Sequence, residues 1–232
     1  MKNIFLETKN VMAFREAMTT LEDVRKGQPG LAVVWGQAGR GKTMCSQEYA
    51  TKTGAIYLRV MQDWTPRAML AELCFKVNQS EPRTIAECKR TACAALDTIP
   101  RLIIVDEADR LKNVGMIEHF RDIHDMCGVP VVFVGEQSLY PKINAHRRIW
   151  SRVTATVAFE PIAMEDIMLF AMKAAGLKVS PEVAAALQER ADGDFRLILI
   201  DIKYLEKTCK AQGVTVVEEG MIKGLPNLKK GG

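Results

Sequence analysis

Apolar residues recur along this chain in two alternating rhythms. Short continuous apolar runs fall at residues 31–35, 55–60, 102–105, 129–134 and 155–159. Runs of this length, rich in β-branched residues and bounded by turn signals, read as strands. Between them the apolar positions recur at helical spacing. Val11, Phe14, Met18, Leu21 and Val24 mark a helix over residues 8–26, and Gly27-Gln28-Pro29-Gly30 stops it. Further helices are predicted over 44–52, from Thr65-Pro66 to about residue 77, and over 84–97, 115–126 and 138–150. Strands alternating with helices predict an α/β fold, with a parallel five-stranded sheet covered by helices on both faces.

Glu160-Pro161 ends the alternation. Beyond it the pattern is helical only, over 164–175, 180–191 and 195–211. The predicted division is therefore an αβα domain over 1–160, a small helical domain over 161–212, and a tail over 213–232 that ends in Lys229, Lys230 and two glycines and is expected to fray. No internal repeat or low-complexity tract is present.

Composition narrows the class. The chain has 232 residues, 48% hydrophobic and 26% charged, as in an ordinary globular protein. No apolar run approaches the roughly 20 residues of a membrane span, and the first residues lack the apolar core of a secretory signal. Six cysteines are scattered without a C-x-x-C pair, which suits a reducing cytoplasm better than a disulfide frame. His119 and His124 do not share a helix face, so a metal site there is not expected. Lys plus Arg number 32 against 28 Asp plus Glu. That mild excess permits nucleic-acid binding without arguing for it alone.

The densest chemistry lies just after the first strand. Gly36-Gln37-Ala38-Gly39-Arg40-Gly41-Lys42-Thr43 has the spacing G-x-x-x-x-G-K-T, between a strand and a helix that opens near Met44. In that setting the glycines let backbone N–H groups face a phosphate, and the helix start adds partial positive charge. Lys42 is placed to reach the β- and γ-phosphates, and the Thr43 hydroxyl to hold Mg²⁺. Some 60 residues on, the apolar run 102–105 ends in Asp106-Glu107. A carboxylate at the end of a buried strand can join the Mg²⁺ shell, and its neighbour can polarise the attacking water. The string Asp106-Glu107-Ala108-Asp109 also occurs in a helicase family, but those proteins need two tandem motor domains. Two arginine segments follow, Arg147-Arg148-Ile149-Trp150-Ser151-Arg152-Val153 and Gly193-Asp194-Phe195-Arg196. Each by itself reads more readily as a solvated basic face.

Taken in order, these motifs resemble those of AAA+ ATPases over residues 8–211: Walker A at 36–43, Walker B at 102–107, a sensor 1 region at 131–136, an arginine-finger box at 151–153 and a sensor 2 motif at 193–196. Within that class the strings G-Q-A-G-R-G-K-T, L-I-I-V-D-E-A-D-R-L and V-V-F-V-G-E look most like the ATPases that regulate DNA transposition, of the bacteriophage Mu B type. The resemblance implies ATP and Mg²⁺ as cofactors, with residues 36–44 and Asp106 at the nucleotide and Thr43 with Asp106 at the metal. Lys42 and Glu107 would be catalytic, with Arg196 sensing the γ-phosphate. Arg152 would act as a finger in a neighbouring subunit's site, with Arg148 as the fallback, so activity should depend on a homo-oligomer. Double-stranded DNA and a transposase are the implied partners, in a bacterial cytoplasm.

The sequence also departs from the class. Sensor 1 is usually a neutral polar residue, yet here the strand ends in Gly135-Glu136-Gln137. Glu136 is the candidate at that position, but a carboxylate there adds negative charge where the site wants a donor, so either Gln137 or another residue serves, or hydrolysis is slow. Proteins of the Mu B type carry a DNA-binding module before the ATPase, and only about 30 residues precede the first strand here, so that module is expected to be absent. Arg67, near Trp64, and Lys112 are candidate DNA-phosphate contacts; Arg67 reads also as a first-turn helix residue, and Trp64 as core. A helicase loader and a nucleotide-gated secretion module remain the alternative functions.

Overall fold

The computed structural model describes residues 1–24 and 26–227. The chain divides into two compact units. One comprises residues 13–37 and 42–159. The other comprises residues 1–12 and 38–41 together with the chain from residue 160 onward.

The first unit is built on five strands: β1 (Leu31–Trp35), β2 (Ile56–Arg59), β3 (Ile103–Asp106), β4 (Val131–Gly135) and β5 (Val153–Ala158). They form one sheet in the order β2-β3-β4-β1-β5, and every pairing is parallel. Side chains alternate across a strand, so each central strand feeds two cores. Leu31, Val33, Ile103, Val105, Val131 and Phe133 are buried with residues of the helices α3 (Pro66–Asn78), α4 (Ile85–Thr98) and α5 (Val114–Cys127). Their neighbours Ala32, Val34, Ile104, Val132 and Val134 are equally buried. Elsewhere in the unit, Phe14 of α1 (Lys9–Glu22) makes edge-on ring contacts with Tyr49 of α2 (Lys42–Thr53) and with Phe159. Burial on both faces explains the unbroken apolar runs of the central strands.

Three boundaries differ from the sequence reading. The first helix ends at Glu22, short of residue 26. The segment 138–150 forms two short helices, α6 (Leu139–Asn144) and α7 (Arg147–Trp150), because His146 takes an extended backbone between them. The last strand begins at Val153, earlier than residue 155; as an edge strand it alternates exposed and half-buried positions instead of showing one apolar run.

The second unit holds α8 (Met164–Phe170), a π-helical turn (Ala171–Ala175), α9 (Pro181–Arg190), α10 (Phe195–Gln212) and α11 (Glu219–Lys223). Ile167, Phe170, Leu187, Ile198, Ile202 and Leu205 form its core, and Leu6 joins them. Inside it, Arg190 Nε bonds Asp201 Oδ2 at 3.1 Å, and Arg190 also donates to the Pro226 carbonyl. The expectation of a fraying tail is corrected for residues 214–227. Val217 and Leu225 are buried in the helical core, and Lys178 bridges Val216 in parallel. Lys229 and Lys230 lie outside the described residues.

Candidate nucleotide site at the carboxyl ends of the strands

In a parallel sheet the loops that follow the strands gather at one edge, where ligands bind. Here β1 leads into the glycine-rich loop, β3 into Asp106-Glu107 and β4 into Gly135-Glu136. Register places Trp35 beside Gly135, so the first loop glycine lies next to Glu136. A Cβ on Gly36 would stand 2.5 Å from the Phe159 carbonyl oxygen, so only glycine fits there. Gly41 has φ +92°, a conformation that L side chains rarely adopt, and it turns the loop into α2.

Lys42 opens α2 and is buried. Its Nζ donates to the carbonyls of Gly36 and Gln37, both at 2.7 Å. Burial pulls its pKa down, while Glu136, Asp106, Asp109 and Glu107 oppose that shift. Thr43 follows at the same helix start, half-buried, and Met44 is exposed. Residues 38–41 belong to the helical unit. There Arg40 is buried and donates to the Asp192 carbonyl at 2.6 Å, and the Phe195 amide donates to the Gly39 carbonyl at 3.0 Å.

Asp106 is 2% exposed and both its oxygens are engaged. Oδ1 accepts the Glu107 amide at 2.9 Å and Oδ2 accepts the Tyr57 hydroxyl at 2.6 Å. Glu107 takes a left-handed backbone, φ +59°, which turns the chain sharply out of the sheet. Its carboxylate lies between two guanidinium groups, Arg59 at 3.2 Å and Arg110 at 3.1 Å. Asp109 accepts the Glu136 amide at 2.8 Å, which joins the turn after β3 to the end of β4. Lys142 secures that turn by donating to the carbonyls of Asp109 and Leu111. Tyr57, Arg59, Asp109 and Arg110 are therefore part of this edge, and sequence reading had not singled them out. Only β2–β3 pairing, which sets Tyr57 opposite Ile104 and Arg59 opposite Asp106, reveals the first two.

Asp194, which pairs with Arg196, lies against Gly39 of the glycine-rich loop within the helical unit. Arg152 sits just before β5, at the amino edge of the sheet, with its carbonyl accepting from the Leu31 amide. Its Nε bonds Asp125 at 2.9 Å. Arg148 is exposed on α7. In the helical unit Arg196 is exposed and pairs with Asp194, the N-cap of α10, at 3.0 Å. Arg67 lies in the first turn of α3, capped by Thr65, and its Nε donates to the Arg83 carbonyl at 2.6 Å. Lys112 lines an open groove of about 1000 Å³ with Gln62, Asp63 and Arg110. Trp64 is half-buried and packs on the core.

A family model described as an AAA domain matches residues 24–143. The chain belongs to this family. Its similarity to individual family relatives is more distant. It is 26% identical over 170 residues to the Mu-like prophage FluMu DNA transposition protein B of Haemophilus influenzae, covering 68% of this chain and 58% of that protein. It is 24% identical over 150 residues to the ATP-dependent target DNA activator B of Escherichia phage Mu, covering 61% and 48%. The chain thus spans about half the length of these curated relatives. Among solved structures, the Aeropyrum pernix ORC2 protein with ADPNP and ADP superposes with a TM-score of 0.64 at 14% identity, covering 97% of this chain and 70% of that one. Cdc6p from Pyrobaculum aerophilum gives 0.63 at 17%, covering 93% and 69%. These superpositions show a shared fold, a parallel five-stranded sheet flanked by helices. Among the described residues no helix is long and apolar enough to cross a membrane.

Proposed function

We propose that this chain is an ATPase that assembles as an oligomer on DNA without reading sequence, marks target DNA for a transposase in a bacterial cytoplasm, and releases it on hydrolysis. The observation that carries the reading is the set of groups gathered at the carboxyl edge of the sheet, Lys42, Asp106 and Glu107, on an AAA fold. The names of the relatives favour the transposition role over a helicase loader or a secretion module.

Residues 36–44 wrap the phosphates with their amides, and Lys42 exchanges two loop carbonyls for phosphate oxygens. The donor set suits Mg²⁺: a buried carboxylate, Asp106, and a hydroxyl, Thr43, at a helix start. Bound there, the ion neutralises charge on the phosphates. Glu107 orients the attacking water and accepts its proton. Arg152 cannot serve the site of its own subunit, because the length of a strand separates the amino edge from the glycine-rich loop, about 3.3 Å per residue. It fits a finger supplied to a neighbouring copy, which ties hydrolysis to assembly. Arg196 is the candidate sensor of the γ-phosphate. Glu136 stands where the class usually places a neutral donor, which favours slow turnover and long-lived assemblies.

Arg67 and Lys112, with Arg110 beside the latter, supply phosphate contacts that carry no sequence information. Electron microscopy of the protein on random-sequence duplex tests the reading. Assemblies that need ATP or a non-hydrolysable analogue and weaken with salt are expected. No DNA-bound assembly with any nucleotide at low salt would refute it.

A further inference from the structure

We propose that Tyr57 is a positioning residue for Asp106, fixing the carboxylate in the orientation that receives the metal; this rests on the reading of Asp106 as a metal-shell ligand. Tyr57 lies on β2, the edge strand, opposite Ile104 of β3. From there its hydroxyl reaches two residue pairs along the sheet and donates to Asp106 Oδ2 at 2.6 Å. A hydrogen bond this short to a carboxylate is roughly twice as strong as one between neutral groups. The Glu107 amide holds the other oxygen at 2.9 Å. With an oxygen fixed on each side, the carboxylate plane is set before any ion arrives.

The hydroxyl has a second partner. Gln47 Nε2 donates to the Tyr57 oxygen at 3.3 Å. Gln47 stands one turn beyond Thr43 on α2, the helix that Lys42 opens. One phenol therefore links the helix bearing Thr43 to the strand bearing Asp106, the two residues assigned to the ion. The ring is only half-buried, so packing alone would be served equally by phenylalanine. The hydroxyl is what sets this residue apart. Groups that orient a metal ligand typically contribute about 10- to 100-fold to metal affinity.

The test compares Tyr57→Phe, Asp106→Asn and the unmodified chain, each loaded with ADP. Mn²⁺ is the probe, titrated by electron paramagnetic resonance. Nucleotide affinity in EDTA and thermal unfolding are measured alongside. Tyr57→Phe is expected to raise the half-saturating Mn²⁺ concentration about tenfold while nucleotide affinity in EDTA stays unchanged. Normal Mn²⁺ binding by Tyr57→Phe, with weakened binding by Asp106→Asn, would overturn the inference alone. Normal binding by both would overturn the assignment of Asp106 and the inference with it. Equal losses of nucleotide affinity in EDTA and of Mn²⁺ affinity would show a general structural role and also overturn it.

Discussion

The two ends of the sheet handle charge in opposite ways. At the carboxyl end the two buried charged groups have short, specific partners: Lys42 with two carbonyls, and Asp106 with a phenol and an amide. At the amino end Arg152 meets Asp125 on the surface, where Arg121 competes for the same carboxylate at 3.6 Å. Surface pairs of this kind are worth little and exchange readily. On the proposed reading, the carboxyl end acts within its own subunit and the amino end offers Arg152 to another copy.

The largest effects should come from breaking one end and leaving the other. Arg152→Ala is expected to reduce turnover in the assembled protein by about 10³-fold or more, with ATP affinity of the isolated chain preserved. Steady-state hydrolysis alongside nucleotide binding below the assembly concentration checks it. Glu107→Gln should cost about 10²- to 10⁴-fold in turnover while ATP-dependent assembly persists. Mixing these two inactive variants is the sharper experiment. If the two ends belong to one composite site between copies, sites that combine Glu107 from one chain with Arg152 from the other regain activity. An inactive mixture would show both groups acting in the same subunit.

Smaller effects refine the picture. Arg59→Met leaves Glu107 paired to Arg110 alone and freer to turn toward water. Turnover should rise by at most about fivefold, the equivalent of an exposed ion pair worth about 1 kcal/mol. A fall in single-turnover rate would mean that Arg59 aims the carboxylate. Asp125→Ala should matter least, changing assembled turnover by about twofold or less, because it releases a solvated cation. A large loss there would mean that the surface pair sets the position of Arg152 and would erase the contrast between the two ends.

Much of this was legible in the sequence, for identifiable reasons. The runs at β1, β3 and β4 are apolar throughout because these central strands are buried on both faces, while the edge strands β2 and β5 keep exposed positions. The glycine-rich loop was legible because its geometry requires particular residues at fixed spacing. What remained hidden depends on contacts distant in sequence. Nothing near Tyr57 or Arg59 announces Asp106 and Glu107; register across β2 and β3 makes the connection. Asp109 reads as a solvated acid until β4 brings the Glu136 amide to it. The break at His146 carries no glycine or proline. Val217 and Leu225 looked like residues of a loose tail because so short an apolar stretch has no period, and their burial depends on a core formed by other helices.

The strand order also has a consequence for how the chain is made. β1 lies between β4 and β5, with Leu31 pairing to Val131 on one side and Val153 on the other. The ribosome thus delivers the glycine-rich loop before either neighbour of its strand, β4 or β5, has been made. Long-range parallel pairing forms late, after the intervening crossovers. A nascent chain ending before Val131 should emerge without the ability to hold nucleotide, and ATP can act on this protein only as a late ligand that captures a nearly finished sheet.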